Sequence, residues 1–165
     1  MIFIPFISVI ILLRIGELIL AKRNEKWLLQ NGAVEYGKNH YPFIVAVHSL
    51  FFVSVIIEYL TQQTPSFSLL ILLFYFVLLA FKVWIIASLG KFWNTKIYRI
   101  QNFPLIKKGP YKYFKHPNYI VVIAEIAAIP LIFHLYYTAV IFSLLNAIML
   151  TVRIKEENVA LQIPI

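Results

Sequence analysis

The chain has 165 residues, of which 61% are hydrophobic and only 13% are charged. A soluble domain has about 45–50% apolar and about 25% charged residues, so this composition excludes an ordinary soluble fold and indicates a membrane protein. All seven acidic residues are Glu, and Cys is missing, which excludes Ser-His-Asp triads, Asp-rich metal–diphosphate sites, aspartyl or thiolate nucleophiles, iron–sulfur clusters and disulfides.

Three apolar segments come first along the chain. A bilayer core of about 30 Å needs roughly 20 apolar helical residues, and the segments at about 2–21, 41–60 and 67–89 approach this length. The first carries Arg14 and Glu17 and lacks a basic leader and a cleavage site of small residues, so we interpret it as a retained span rather than a signal peptide.

The last apolar stretch, from Pro117 to Val152, is too long for one crossing and about long enough for two. Pro130 and His134 mark its middle as a turn. We therefore predict a tight helical hairpin with spans at about 117–133 and 137–152. The predicted fold is all-α: one integral membrane domain over residues 1–165, built as a bundle of five transmembrane helices.

The basic residues predict the orientation of these spans. The formal net charge is +8, and its Lys and Arg residues lie mainly in the stretches 22–40 and 90–116, whereas 61–66 and the hairpin turn are uncharged. Since basic loops stay on the cytoplasmic side, we predict an outside N-terminus, with both basic loops and the C-terminus in the cytoplasm. We attribute the charge to topology and anionic lipid, not to nucleic acid.

Ionisable residues inside membrane spans are costly and indicate function or pairing. Arg14 and Glu17 share a helix face, so we expect a mutually neutralising pair. We expect Lys82, two turns from the end of its span, to extend to the headgroups. Glu125 lies too deep to reach water, which leaves pairing and function as open alternatives. His48 and His134 are expected to be structural.

Two polar clusters flank the hairpin. The first surrounds His116, which we predict as the N-cap of the fourth span, because Pro117 suits the first helical position. That helix start is suited to a carboxylate or phosphate. The second cluster follows the fifth span, where Arg153, Glu156 and Glu157 share one face. An interfacial aromatic belt and an intrahelical ion pair are the simpler interpretations of these clusters.

These clusters make the sequence similar to the isoprenylcysteine carboxyl methyltransferase family of membrane enzymes. The resemblance covers roughly residues 85–161. The matching residues are Leu89-Gly90-x-Phe92-Trp93, Gly109-Pro110-Tyr111, Lys115-His116-Pro117-Asn118-Tyr119, and Arg153 with Glu156, Glu157, Ala160 and Leu161. The sequence departs from the family at Lys115, where Arg is common, and at Val121, where Gly often occurs.

The resemblance implies a reaction that depends on S-adenosylmethionine, with the acceptor entering from the bilayer. It implies a cofactor pocket built from five residues: Tyr111, His116, Pro117, Tyr119 and Glu157. Arg153 and Glu156 would act in catalysis, and Glu125 is a further candidate that could orient Arg153 or accept a proton. No metal ligand set is predicted.

The acceptor is left open among lipophilic compounds. The branch of short bacterial members that this chain resembles favours O-methylation of an alkylpyrone or a phenolic polyketide lipid. Prenylcysteine carboxylates and phospholipids are alternatives, as are an NADPH-dependent isoprenoid reductase and a non-enzymatic transporter or assembly partner. Membrane lipids are expected partners, and the sequence does not indicate the oligomeric state.

Overall fold

A computed structural model describes residues 2–161, and this part of the chain is mostly helical. Its five α-helices are α1 (Phe3–Gln30), α2 (Tyr41–Thr61), α3 (Leu69–Leu89), α4 (Pro117–Ile132) and α5 (Tyr136–Leu161). Four of them are long and apolar enough to cross a membrane, and α4 is a shorter apolar helix. Its 16 residues span about 24 Å at 1.5 Å per residue.

The helices begin close to the predicted span starts, and two of them run beyond the predicted spans. The helix α1 continues from the predicted end near residue 21 to Gln30, because Ala, Lys, Arg, Glu and Leu in this stretch all favour helix. It stops before Gly32, which has a left-handed φ of 78°. The helix α5 likewise continues past residue 152 to Leu161.

The predicted turn lies between α4 and α5. The carbonyl of Pro130 accepts hydrogen bonds from the amides of Phe133 and Leu135, and His134 has a left-handed φ of 57°. The carboxylate of Glu58 accepts hydrogen bonds from the amides of Tyr137 and Thr138, so a residue of α2 caps the exposed amide groups at the start of α5. The two helices pack against each other.

A two-stranded sheet corrects the prediction of an all-α fold. Strand β1 (Ala33–Tyr36) pairs antiparallel with β2 (Ile97–Ile100), in two stretches that we predicted as loops. Four-residue strands are too short to give a clear alternating pattern, so the sequence signal was weak. The sheet brings the two basic loops, 22–40 and 90–116, into direct contact.

The interior of the bundle is layered along the helix axes. The hydrophobic core occupies the half near the α4–α5 turn, where Ile10, Phe51, Tyr75 and Ile129 are buried together. Phe3 of α1 stacks on Tyr59 of α2 in this half, with ring centroids 3.6 Å apart. The other half contains the sheet and the polar residues near the start of α4 and the end of α5.

Between these halves lies an ion ring formed by Arg14, Glu17, Lys82 and Glu125. Arg14 contacts Glu17 at 2.8 Å and Glu125 at 2.7 Å. Lys82 contacts Glu17 at 2.7 Å and Glu125 at 3.1 Å. Each charged group therefore touches both groups of opposite charge, and the ring links α1, α3 and α4.

The ion ring confirms one expectation and corrects another. The pair between Arg14 and Glu17 is confirmed, and Glu125 is paired. Lys82 does not extend to the headgroups: it is only 3% exposed, because two carboxylates inside the bundle hold its ammonium group. His48 hydrogen-bonds the carbonyl of Ile44, and His134 lies in the turn and contacts Ser66, as expected for structural histidines.

Candidate active site

Four polar side chains form a continuous relay at the end of the bundle that contains the sheet. His116 Nδ1 lies 3.3 Å from a carboxylate oxygen of Glu157. The phenol of Tyr119 donates to the same carboxylate and accepts a hydrogen bond from Arg153 Nε at 2.9 Å. We call this set, His116, Glu157, Tyr119 and Arg153, the relay. It joins the first turn of α4 to the last two turns of α5.

The guanidinium of Arg153 is fixed from two sides. Its terminal nitrogen donates to the carbonyl of Thr95 at 2.5 Å, while its Nε donates to Tyr119. The hydroxyls of Thr95 and Tyr41 are 3.2 Å apart, so α2 supports the same loop. A planar guanidinium with several fixed donors suits this arrangement. Arg153 is buried, and among residues 2–161 no carboxylate pairs with it directly.

His116 is positioned by contacts on both ring nitrogens. Its Nε2 lies 2.9 Å from the side-chain oxygen of Asn158, and its ring stacks on that of Tyr119. The hydrogen bond to Glu157 raises the pKa of His116 above its usual value, although partial burial opposes this change. Two acceptor oxygens around one imidazole favour the protonated ring, which donates from both nitrogens.

A polar cavity of about 400 Å³ adjoins the relay on one side. Charged and aromatic groups line it, among them Lys96, Lys107, Tyr111, Phe114, His116 and Glu157. Burial and the nearby charge of Glu157 raise the pKa of Tyr111, so its phenol stays neutral. The cavity therefore offers one carboxylate, several aromatic faces and several cationic side chains.

An apolar cavity, also of about 400 Å³, lies on the other side. Its walls are side chains of α1, α2 and α5, chiefly Ile11, Leu18, Ile44, Phe52 and Met149. The helices α1 and α2 meet where Phe3 stacks on Tyr59 and enclose this cavity further along. Three members of the ion ring, Arg14, Glu17 and Lys82, form a polar patch of its lining.

The two cavities have five lining residues in common. We call this set the shared wall; its members are Trp93, Asn94, Asn118, Tyr119 and Arg153. Asn94 donates to the carbonyl of Ala21, and Asn24 donates to the carbonyl of Trp93, so α1 holds the loop that carries the wall. The two cavities therefore adjoin at these five side chains, so molecules in the two cavities would meet here.

The structure brings five of the predicted site residues together. Tyr111, His116, Tyr119, Arg153 and Glu157 all line the polar cavity. Pro117 is buried and lines neither cavity; it starts α4 at the first helical position.

Glu156 and Glu125 lie elsewhere. Glu156 lines neither cavity, and its carboxylate makes no hydrogen bond or ion pair within residues 2–161. At about 100° per residue, Glu156 and Glu157 project from α5 in well-separated directions. Glu125 contacts Arg14 and Lys82, whereas Arg153 contacts Tyr119 and Thr95, so the hypothesis that Glu125 orients Arg153 is wrong.

Sequence reasoning missed Trp93, Asn94, Thr95 and Asn118 as site residues. Trp93 and Asn118 both stand inside the quoted motifs, which was the available signal for them. Asn94 and Thr95 carry no signal of their own, because only the return of the 90–100 segment against α1 and α5 brings them to Arg153.

Comparison with known proteins identifies the family of this chain. The model of the isoprenylcysteine carboxyl methyltransferase family matches residues 69–163, a range that contains the relay and the shared wall. The chain belongs to this family.

Relatives extend the similarity over nearly the whole chain. Uncharacterized protein YpbQ of Bacillus subtilis is 44% identical over 158 residues, which cover 94% of each chain. An uncharacterized protein of Haemophilus influenzae is 31% identical over 158 residues, covering 92% of this chain and 90% of its own. No solved structure matches the chain. The family suggests a membrane methyltransferase.

Proposed function

We propose that this protein is a membrane O-methyltransferase that uses S-adenosylmethionine and methylates a hydroxyl group of a lipophilic acceptor, an alkylpyrone or a related phenolic lipid. The observation that carries this proposal is the shared wall between a polar and an apolar cavity. A transfer between a polar donor and a lipid acceptor needs two such compartments, with reacting atoms about 3–3.5 Å apart where they meet.

The proposed topology places all five helices across the membrane, with α4 and α5 as a hairpin and the N-terminus outside. Pairing of β1 with β2 supports it, because both basic loops must then lie on one side. At the other end, Ser68 donates to the carbonyl of Ile132 and Gln62 to that of Phe133, which groups the two uncharged turns together.

The side chains that line the polar cavity would bind the charged and the apolar parts of S-adenosylmethionine. Glu157 would face the cationic part of the cofactor, and the rings of Tyr111 and Phe114 would pack against its apolar and cationic surfaces. The start of α4 and the neighbouring lysines would hold its carboxylate. The volume of the polar cavity falls in the range of roughly 300–1,000 Å³ that is usual for small-molecule sites.

When bound, S-adenosylmethionine supplies a methyl group on a sulfonium, so a carbon–oxygen bond forms as a carbon–sulfur bond breaks. The chain's own residues would manage the proton that the acceptor hydroxyl loses. Tyr119 oxygen would accept it while the phenol passes its own proton to Glu157, to which it already donates. Arg153, bonded to the same phenol oxygen, would stabilise negative charge that develops there.

The apolar cavity supports an acceptor with a long apolar tail. Part of its lining comes from α1 and α2, two helices that would face lipid, and the tail would enter from the bilayer between them. An alkylpyrone combines such a tail with an acidic hydroxyl. A prenylcysteine carboxylate would suit the same walls and is the alternative acceptor.

Binding and labelling test the proposal directly. The detergent-purified protein is titrated with S-adenosylhomocysteine and with NADPH, and then incubated with methyl-labelled S-adenosylmethionine and total membrane lipid. We expect binding of the adenosyl compound alone and a labelled lipid that carries a methyl ether. Binding of NADPH alone would favour the reductase, and binding of neither compound would favour the non-enzymatic alternative.

Two adjacent glutamates provide a matched pair of variants. Glu157→Gln removes the carboxylate from the polar cavity and should weaken S-adenosylhomocysteine binding by about tenfold or more, the effect of losing a charged hydrogen-bond partner. Glu156→Gln changes the neighbouring residue, which lines neither cavity, and should bind like the wild type. Equal binding by both variants would place the cofactor elsewhere.

A further inference from the structure

Two buried polar atoms in the shared wall have no hydrogen-bond partner within residues 2–161. They are the indole Nε1 of Trp93 and the amide oxygen of Asn118. Trp93 is only 3% exposed. An unpaired buried polar group costs about 1–3 kcal/mol, and buried polar groups in proteins are nearly always paired, so both atoms need an explanation.

The position of these atoms indicates that a bound ligand pairs with them. Trp93 and Asn118 line both cavities. The third unpartnered atom in the described part of the chain is Gln62 Oε1; it lies near the α4–α5 turn, where the same side chain already donates to the carbonyl of Phe133. The unpartnered atoms near the relay are thus confined to the place where donor and acceptor must meet.

We propose that Trp93 and Asn118 hold the reacting hydroxyl of the acceptor, a role that rests on the proposed function. The indole N–H donates to the hydroxyl oxygen, and the amide oxygen of Asn118 accepts the hydroxyl hydrogen. Both atoms become paired only when this group enters the wall. For transfer, the hydroxyl hydrogen turns from Asn118 to the oxygen of Tyr119, and the phenol passes its own proton to Glu157.

The two atoms also select the chemical class of the acceptor. One is a donor and the other an acceptor, so together they complement a group that both donates and accepts, which a neutral hydroxyl does. A carboxylate has no hydrogen to donate and would leave the oxygen of Asn118 facing negative charge. The wall therefore favours a hydroxyl lipid over a prenylcysteine carboxylate, because a site built for one hydrogen-bonding group rejects a group that cannot satisfy it.

Indole NMR tests this proposal without requiring turnover. The chain has three Trp residues, so protein labelled with ¹⁵N-tryptophan gives three indole signals, and Trp93→Phe identifies the one that belongs to Trp93. The probes are a long-chain hydroxypyrone, its O-methyl ether, and a farnesylated cysteine carboxylate. We expect the hydroxypyrone to shift the Trp93 signal strongly and the other two probes to shift it weakly.

Affinity measurements supply the quantitative part. Trp93→Phe keeps the ring and loses only the N–H, and we expect it to weaken hydroxypyrone binding by about tenfold. Asn118→Leu should have a similar effect. Trp84→Phe is the control, since Trp84 lines neither cavity and is half-exposed. Trp84→Phe should bind both the hydroxypyrone and S-adenosylhomocysteine like the wild type.

Several outcomes would overturn the assignment. A Trp93 signal that ignores the hydroxypyrone, or that responds more to the carboxylate, would do so. So would a Trp93→Phe protein with wild-type affinity for the hydroxypyrone. A protein that binds the hydroxypyrone at Trp93 but not S-adenosylhomocysteine would instead contradict the proposed function and keep the hydroxyl-binding assignment, so the two failures are distinguishable.

Discussion

The ion ring and the relay are both built from Arg and Glu on packed helices, yet they differ in closure. In the ring, four charges contact one another in alternating order, and Glu125 is completely buried behind the others. In the relay, the one carboxylate, Glu157, meets an imidazole and a phenol, makes no ion pair with Lys or Arg within residues 2–161, and lines the polar cavity. Glu17 of the ring also lines a cavity, but both of its oxygens contact ring cations. A closed set of charges stabilises helix packing, whereas an open set leaves a carboxylate available to a ligand.

This comparison predicts that the ring controls stability and the relay controls binding and transfer. The ring also argues against the transporter alternative, because each of its four charged groups is already paired with both groups of opposite charge. A ring substitution that changes only binding, or a relay substitution that changes only stability, would contradict this comparison.

Lys82→Met should have the largest effect on stability. It leaves two carboxylates facing the single cation of Arg14 inside the bundle, and removal of one partner from a buried ion pair costs about 3–5 kcal/mol. We expect a clear fall in the melting temperature in detergent. Folded variant protein should keep wild-type affinity for S-adenosylhomocysteine, because Lys82 does not line the polar cavity.

The double variant Lys82→Met with Glu125→Gln is the matched control. It restores equal numbers of positive and negative charges in the ring, so it should melt above the Lys82→Met single variant. Strong non-additivity of this kind is expected for groups in one network. A single variant that melts like the wild type, or a double variant that melts lower than the single one, would show that the ring is not a closed stabilising unit.

Arg153→Lys should have the next largest effect, on transfer and not on stability. Lysine keeps the charge but cannot donate in two fixed directions to Thr95 and Tyr119. We expect kcat to fall between about tenfold and about 150-fold, the equivalent of one charged hydrogen bond. Lys155→Gln, at an exposed position of the same helix, should leave kcat unchanged.

The sequence predicts the helices far better than it predicts the contacts between them. Long apolar segments and Pro117 are local signals, so the helix positions and the start of α4 follow from the chain alone. The partner of Lys82 does not, because Glu125 is 43 residues away and only the packing of α3 on α4 brings the two together. Distance from the membrane border suggested solvent access, but the long-range ion pairs determine where Lys82 lies.

The candidate site shows the same division. Tyr119 and Glu157 were selected because their motifs are recognisable, and the structure joins them directly. The motif did not distinguish Glu156 from Glu157, since that choice depends on how α5 is rotated against α4. Trp93 stood within a quoted motif, but its unpaired N–H is a property of burial and packing that no local pattern encodes.

The smallest expected effect is a pH-dependent contribution of His116. The pKa of His116 is raised by its hydrogen bond to Glu157 above the ordinary value of 6.5. Its pairing therefore contributes full stability below pH 6.5, and this contribution is lost as the pH rises through the higher pKa of the folded state. We expect His116→Gln to lower the melting temperature most below pH 6.5 and progressively less above it.

The size of the pH-dependent change in melting temperature expected for His116→Gln distinguishes the relay from the ion ring. A partly solvated pair contributes no more than about 1 kcal/mol, well below the effect expected for the buried ring. His134→Gln, a substitution in the turn at the opposite end of the bundle, is the control for the loss of an imidazole. If His116→Gln shifts the melting temperature equally at every pH, the imidazole does not act as a charged partner of Glu157. The phenol of Tyr119 alone would then hold the carboxylate of Glu157. With one partner fewer, that carboxylate would be more available to a cationic ligand.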